Sequence, residues 1–211
     1  MEEGRTSEQR SQRPNARPAA AGGVDMGDGG ESRALRQVAV ARKWLENPRV
    51  GYDGGVAAHA AGGSQELSCV ALAGARVSVA EPGRVVCSLR VRAPVADAEG
   101  SWHTGAIAAV VDCVCSAVVH TVVGAPTATV HYSLSYFSPA DRDVPGTLTA
   151  SSGRPPSQTE VEVEGRVVSR KGKLTAATVE VRKKESGELV AVGRQWVTPT
   201  WPTKANKTSK L

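Results

Sequence analysis

Residues 103–126, with the sequence HTGAIAAVVDCVCSAVVHTVVGAP, decide the fold of this chain. The apolar part of the stretch is longer than an ordinary strand and contains no turn residues until Gly124 and Pro126. It is also apolar on nearly every side, which is typical of a helix buried on most of its surface. The sequence therefore predicts one long central helix over 103–123, ended by Gly124.

Alternating apolar and polar residues predict strands on both sides of this helix. A first helix is predicted from Ser32, as N-cap, to Leu45. Because hairpin turns join successive strands, the sheet should be antiparallel. One long helix can bury all its faces only if this sheet curls around it, so the predicted class is an α+β domain. The predicted strands cover residues 68–80, 84–92, 127–137, 160–168, 174–183 and 189–197.

The length of 211 residues allows one domain with tails. Residues 1–31 lack periodicity and are expected to form a disordered N-terminal tail, and the domain is expected over 32–199. Within it, the Gly/Ala-rich segment 48–66 and the Pro/Gly/Ser-rich segment 141–158 are predicted loops. Residues 200–211 are expected to form a C-terminal tail.

Composition excludes several classes of function. Lys and Arg number 26 against 21 Asp and Glu, giving a net charge of +5, but the charge is spread along the chain, so nucleic-acid binding is not expected. No apolar run reaches the roughly 18 residues of a membrane helix without a polar interruption, so no membrane span is expected. The four cysteines form no Cys-x-x-Cys pair, which indicates buried, reduced thiols and no metal site.

Asp112 is the residue of the central helix that most needs an explanation. It is flanked by Val, Ala and Cys, and an ionised carboxylate buried without a partner costs many kcal/mol. It must therefore be paired, protonated or directed into a cleft. An ordinary alternative is an exposed or locally hydrogen-bonded aspartate, although the helix carries no other acid or base between His103 and His120 to mark a solvated strip.

The helix start, His103-Thr104-Gly105, is the second feature with chemical potential. Free N–H groups at a helix N-terminus attract negative oxygen atoms, and Gly105 permits a ligand to approach closely. The alternative is an ordinary helix cap. Thr104 and Asp112 are eight residues apart, or about 12 Å along a helix, so one small reacting group cannot contact both within one chain. A site that uses both residues therefore requires a dimer.

These features resemble the small hotdog-fold acyl-CoA thioesterases, in the phenylacetate-type branch that includes the acyl-coenzyme A thioesterase 13-like proteins. The resemblance rests on His103-x-Gly105 followed by Asp112, and on the segments 124–126 (GAP), 135–140 (SYFSPA), 172–174 (GKL), 186–191 (SGELVA) and 193–194 (GR). It covers about residues 33–199, and several motif pieces occur in the family's order.

The resemblance implies a hydrolase that splits an acyl-CoA thioester into a carboxylic acid and CoA without a metal or separate cofactor. It places the catalytic carboxylate at Asp112, as general base or nucleophile, and the oxyanion donor at the backbone N–H of Thr104. Thr129 takes the position of a polar residue that orients water. Two positions depart from the family: Thr104 replaces a glycine, and Asp97 replaces a frequent asparagine.

The resemblance also implies binding and assembly partners. His103, Gly105 and Asp97 are expected near the substrate, and the site is expected at the interface of a homodimer or a dimer of dimers. Segment 141–158 looks like an insertion relative to the family. The basic turn formed by Arg170, Lys171 and Lys173 could meet the phosphates of CoA, although such a turn can also be merely solvated.

Two alternative functions remain open, and the last three residues predict a cellular location. A hotdog dehydratase would use His103 together with Asp112, and a non-catalytic acyl-CoA binder would account for the departures at Thr104 and Asp97. The final residues, Ser209-Lys210-Leu211, match a peroxisomal address, which predicts a peroxisomal enzyme of fatty-acid metabolism that is recognised by the import receptor.

Overall fold

The computed structural model describes residues 28–49, 67–141 and 159–200. Within these ranges the chain forms three α-helices and six strands around one core. The helices are α1 (Asp28–Glu46), α2 (Leu67–Ala71) and α3 (Thr104–Val123). The strands are β1 (Arg76–Glu81), β2 (Arg84–Arg90), β3 (Thr127–Tyr136), β4 (Glu160–Lys171), β5 (Leu174–Lys183) and β6 (Leu189–Pro199).

The six strands form one antiparallel sheet in the order β1-β2-β4-β5-β6-β3. Helix α3 packs against one side of this sheet and contacts β2, β3, β4, β5 and β6. This confirms the predicted α+β class and the predicted central helix. Gly124 ends α3 in the left-handed conformation, at φ 64°, as the sequence predicts.

Two glycines bring the sheet close to α3. A Cβ atom on Gly193 of β6 would collide with the Val111 side chain, and one on Gly165 of β4 would lie 2.9 Å from a methyl carbon of Val114. Because these two glycines carry no side chain, the helix can approach the backbone of β6 and β4 directly. Because Val111 precedes Asp112, the contact at Gly193 also sets how far Asp112 stands from β6.

Helix α3 is long and apolar enough to cross a membrane by length and composition alone. Most of its residues are buried, and the helix contacts both the sheet and α1, which is typical of the core helix of a folded domain.

Segment 67–80 differs from the predicted strand. It begins with the short helix α2, turns at residues 72–74, and enters β1 only at Arg76. An apolar run of four or five residues carries too little periodicity to distinguish helix from strand. Here Ala71 and Leu72 are buried, and α2 packs on α3, so tertiary contacts select the helix.

Helix α1 also starts earlier than predicted, at Asp28 instead of Ser32. Gly29 and Gly30 have low helix propensity, which favoured the later start in the sequence. The last four residues of the predicted tail 1–31 are therefore helical, and the rest of that tail lies outside the described residues. So do 50–66 of the predicted loop, 142–158 of the predicted insertion, and 201–211 of the predicted C-terminal tail.

The two edges of the sheet are treated differently. At the β1 edge, side chains of α1 occupy the backbone groups of Val77: Glu46 Oε1 accepts from its N–H at 3.0 Å, and Arg42 donates to its C=O at 2.5 Å. At the other edge, β3 pairs with β6 on one side only within the described residues. The β1 edge is therefore capped, whereas the β3 edge is open.

Candidate active site

Helix α3 runs along the inner side of β3 and is tied to it by two tyrosines. Tyr136 Oη donates to the carbonyl of Thr104 at 3.0 Å, and Tyr132 Oη donates to the carbonyl of Ala108 at 2.9 Å. The helix and the strand therefore run in opposite directions, so that later residues of α3 lie beside earlier residues of β3. The next helical turn brings Asp112 opposite the beginning of β3.

A bulge in β3 directs Thr129 toward this turn of the helix. Thr129 pairs with Val197 and His131 pairs with Trp196, so Val130 is one extra residue in the strand. Since side chains alternate between the two faces of a sheet, the extra residue changes which face Thr129 occupies. It lies on the same face as the buried Val197, which is the face covered by α3.

Gln195 of β6 connects Asp112 to Thr129. Its Nε2 atom donates to Asp112 Oδ1 at 2.5 Å and to Thr129 Oγ1 at 2.6 Å. Because both acceptors share one nitrogen, the carboxylate and the hydroxyl lie within about 5 Å of each other. The structure thus places two of the predicted catalytic residues, Asp112 and Thr129, in one site.

The environment of Asp112 is mixed. Its side chain is exposed in the single chain, yet burial of one side of the carboxyl raises its pKa, and the hydrogen bond from Gln195 opposes that rise. The exposed part faces away from the core, so a molecule that covers it would raise the pKa further. A carboxylate with a raised pKa on an open face is suited to taking up a proton.

The start of α3 has the geometry of an anion site with one occupied donor. His103 is the N-cap, and its Nδ1 atom accepts from the N–H of Gly105 at 3.0 Å. The N–H of Thr104 has no hydrogen-bond partner among residues 28–49, 67–141 and 159–200. All three residues are exposed. This N–H is the donor to which the family resemblance assigns the oxyanion.

Two predicted site residues in this region make local contacts. The space over Gly105 is taken by the imidazole of His103, because a Cβ atom on Gly105 would lie 3.1 Å from its Cε1 and Nδ1 atoms. The glycine admits His103, where the sequence predicted a ligand. Asp97, expected near the substrate, accepts through Oδ1 from the N–H of Ser101 at 2.8 Å in the turn before α3.

The predicted basic turn lies at the same end of the sheet as Thr129. Arg170, Lys171 and Lys173 are exposed around the β4–β5 turn. Two residues further, Thr175 is in register with Val197, which is in register with Thr129. The turn is therefore two strands away from β3, about 10 Å across the sheet. The described contacts do not bring it to Asp112 itself.

Sequence reasoning missed Gln195. It lies in the alternating strand β6 between Gly193 and Val197, on the face that packs against α3. A polar residue at an inward position of an alternating strand is the signal that could have identified it. Ser209, Lys210 and Leu211, the predicted address, lie outside the described residues.

The chain is similar to known proteins in sequence and in fold. No family model matches the chain. Acyl-coenzyme A thioesterase 13 from Homo sapiens and from Pongo abelii are each 32% identical to it over 117 residues, which is 54% of this chain and 72% of theirs.

Solved structures with the same fold carry thioesterase names. Thioesterase superfamily member 2 from zebrafish superposes with a TM-score of 0.57 at 21% identity, covering 77% of this chain and 98% of that one. A hypothetical thioesterase from Streptococcus pneumoniae, solved with coenzyme A, gives 0.50 at 17% identity, with 60% and 85% covered. These structures identify the sheet wrapped around α3 as the hotdog fold. Together with the 32% identity to the human and orangutan proteins, this shows that the chain belongs to the hotdog-fold acyl-CoA thioesterase family and is an enzyme of that thioester-hydrolysing class.

Proposed function

We propose that this protein hydrolyses an acyl-CoA thioester to a carboxylic acid and CoA, with the Asp112 carboxylate as general base. The observation that carries the proposal is the placement of Asp112 and Thr129 on an open face, held by one amide nitrogen of Gln195. The relatives named acyl-coenzyme A thioesterase 13 support the substrate class.

The chemistry balances with protein groups and water alone. Asp112 takes one proton from a water molecule while the water oxygen forms a bond to the thioester carbon. The carbonyl oxygen becomes an oxyanion, which a backbone N–H can stabilise by a charge-assisted hydrogen bond. When the carbon–sulfur bond breaks, the CoA sulfur leaves as a thiolate and recovers the proton from Asp112. The same carboxylate could instead attack the carbon directly; an acyl-enzyme intermediate would distinguish that route.

A second copy of the chain is required to supply the oxyanion donor. The free N–H of Thr104 lies eight residues before Asp112, about 12 Å away along α3. A reacting carbonyl must lie within about 3 Å of its oxyanion donor and within reach of the base through one water molecule, and about 12 Å is too long for both, so Asp112 of one copy would act with Thr104 of the other.

The sheet edges support one mode of pairing. The β1 edge is capped by Arg42 and Glu46, whereas the β3 edge is open and next to Asp112. Exposed Val130 and Phe137, at 60% each, add apolar surface along this edge. We therefore propose a two-fold dimer through β3, in which each copy completes the site of the other. A dimer of dimers would build on this pair.

The basic turn of Arg170, Lys171 and Lys173 is proposed to attract the phosphates of CoA. Its exposure leaves the side chains available, and its position at the Thr129 end of the sheet is compatible with a long ligand. Asp97 Oδ1 accepts from Ser101 in the turn before α3, and a contact between Asp97 and the substrate stays a prediction from the resemblance.

The state of His103 argues against the dehydratase alternative. Its Nδ1 atom accepts a hydrogen bond from the N–H of Gly105 and is thereby held in the helix cap. This contact occupies one of the two ring nitrogens that could otherwise serve as the base of a dehydratase.

The test is to incubate the purified protein with short-chain, long-chain and aromatic acyl-CoAs and to measure free thiol. Release of CoA above the uncatalysed rate supports the proposal and gives the acyl preference. An enoyl product without thiol release would indicate a dehydratase, and tight binding without turnover a non-catalytic binder; either result overturns the proposal.

Peroxisomal localisation through Ser209-Lys210-Leu211 stays a prediction from the sequence. Imaging of the tagged full chain with and without these three residues, beside a peroxisomal marker, tests it.

A further inference from the structure

Gln195 is a polar residue in an apolar layer. Its side chain is fully buried, at 0% exposure, between the inner faces of β6 and β3 and helix α3. Its Oε1 atom is buried without a hydrogen-bond partner among the described residues. A buried unsatisfied carbonyl costs on the order of 1–3 kcal/mol. An apolar side chain would avoid this cost, so stability alone does not explain a glutamine here.

The two hydrogen bonds from Gln195 Nε2 determine which atoms of Asp112 and Thr129 remain available to water or substrate. Asp112 accepts through Oδ1, which leaves Oδ2 as the oxygen available on the open side. Thr129 accepts through Oγ1, so its own hydroxyl proton must be directed elsewhere. The reverse orientation of the amide would place Oε1 against the carboxylate, which an ionised Asp112 disfavours.

We propose that Gln195 is a positioning residue that selects Asp112 Oδ2 as the base and turns the Thr129 hydroxyl proton toward the attacking water; this rests on the proposed function. The water then accepts from Thr129 and donates to Oδ2, while its remaining lone pair attacks the thioester carbon. Gln195 itself gains and loses no proton.

The charged and titratable groups facing Asp112 leave Gln195 as its principal partner. Cys113 and Cys115 on α3 and Tyr132 on β3 interact electrostatically with Asp112. Burial raises the pKa of each, that of Cys113 to about 12, so all three stay neutral near pH 7. The donor from Gln195 is the group that lowers the pKa of Asp112 against the effect of burial.

Two variants test this role. Gln195→Met keeps the length of the side chain and removes the donor, and Gln195→Glu keeps the shape and adds a like charge. We expect kcat to fall at least tenfold in both, with KM within about threefold of wild type. The acid limb of the pH–rate profile should move up by about one pH unit in Gln195→Met, the size expected for losing a hydrogen bond to a charged group. It should move further in Gln195→Glu, because two carboxylates then share one site.

The matched control is Arg194→Met, which places the same new side chain at the neighbouring, exposed position of β6. It should change neither kcat nor the acid limb. Melting temperatures of all variants separate folding from positioning, and Gln195→Met should be at least as stable as wild type.

A readout that does not need turnover separates this proposal from the proposed function. The pKa of the Asp112 carboxyl can be followed by carbon NMR in wild type and in Gln195→Met. A rise in the variant supports the positioning role even if the wild type hydrolyses no acyl-CoA tested. An unchanged carboxyl pKa, or an unchanged kcat and acid limb in Gln195→Met, overturns it.

Discussion

Gln195 and Asp112 are 83 residues apart in the chain, and their side chains meet at 2.5 Å. Two structural features bring them together, and a third adds Thr129. Gly193 lets α3 approach β6, the tyrosines of β3 fix the helix along the strand, and the Val130 bulge turns Thr129 toward the same point. The site is therefore a product of packing between the helix, the strand β3 that follows it, and the strand β6 that is distant from both in sequence.

Replacing the proposed base should abolish activity while leaving the fold intact. Asp112→Asn should lower kcat by a factor of about a hundred or more, the contribution usual for a general base. The stability of this variant, unlike its activity, should not fall. The folded-state pKa of Asp112 lies above its unfolded value, so the native state loses stability as pH rises through that range. Asn has no such charge, so the melting temperature at pH 7 should be unchanged or higher. Full activity in this variant would contradict the mechanism.

Mixing two inactive variants tests whether the site is shared between copies. Thr104→Pro removes the proposed oxyanion donor at the first helical position, where proline is tolerated. Neither Thr104→Pro nor Asp112→Asn should turn over substrate. After co-expression or unfolding and refolding together, each mixed dimer would contain one intact site, and random mixing should restore about a quarter of wild-type activity.

The control for this experiment is a mixture prepared from separately folded variants and assayed at once, which should stay inactive. If the co-folded mixture also stays inactive while dimers form, the two residues do not act across the interface.

The close contacts between α3 and the sheet should be sensitive to a single methyl group. Gly193→Ala and Gly165→Ala place a Cβ atom against Val111 and Val114, and overpacking of this kind costs about 1–3 kcal/mol of unfolding free energy. Gly29→Ala is the matched control, because its Cβ atom would meet nothing within 4 Å. Urea denaturation should show lower midpoints for the first two variants only. Equal midpoints for all three would show that the sheet can move away from the helix.

The cap on the β1 edge should contribute measurably to stability. Arg42→Ala and Glu46→Ala each leave one backbone group of Val77 without its partner, which should lower the free energy of unfolding by about 1 kcal/mol. Arg36→Ala, on the same helix, removes only a bond to the carbonyl of Ser32 within that exposed helix and should have little effect. Thermal and urea melts of the three variants provide the comparison.

The sequence was sufficient for features that depend on local pattern. The central helix, its end at Gly124 and the antiparallel hairpins follow from periodicity and turn residues, while the catalytic role of Asp112 stays a prediction from the cost of a charge in an apolar run and from the resemblance. Segment 67–71 is too short for periodicity to decide its structure, and only its burial against α3 makes it helical.

The parts of the site that the sequence did not predict depend on the pairing of β3 with β6, which are distant in the chain. Thr129 was expected from a resemblance, but the bulge that directs it arises from its register with β6. Gln195 was detectable only as a polar residue at an inward position, and its partners became known once α3 was placed on the sheet. Asp97 shows the opposite case: a position matched to a family motif closes a local turn in this chain.

The contrast between the two sheet edges also limits how far the chain can assemble through strand pairing. In the proposed dimer the two β3 edges pair with each other, and the two β1 edges lie outermost, where Arg42 and Glu46 occupy the backbone groups of Val77. We therefore expect this cap to hinder the edge-to-edge addition of further copies to the sheet.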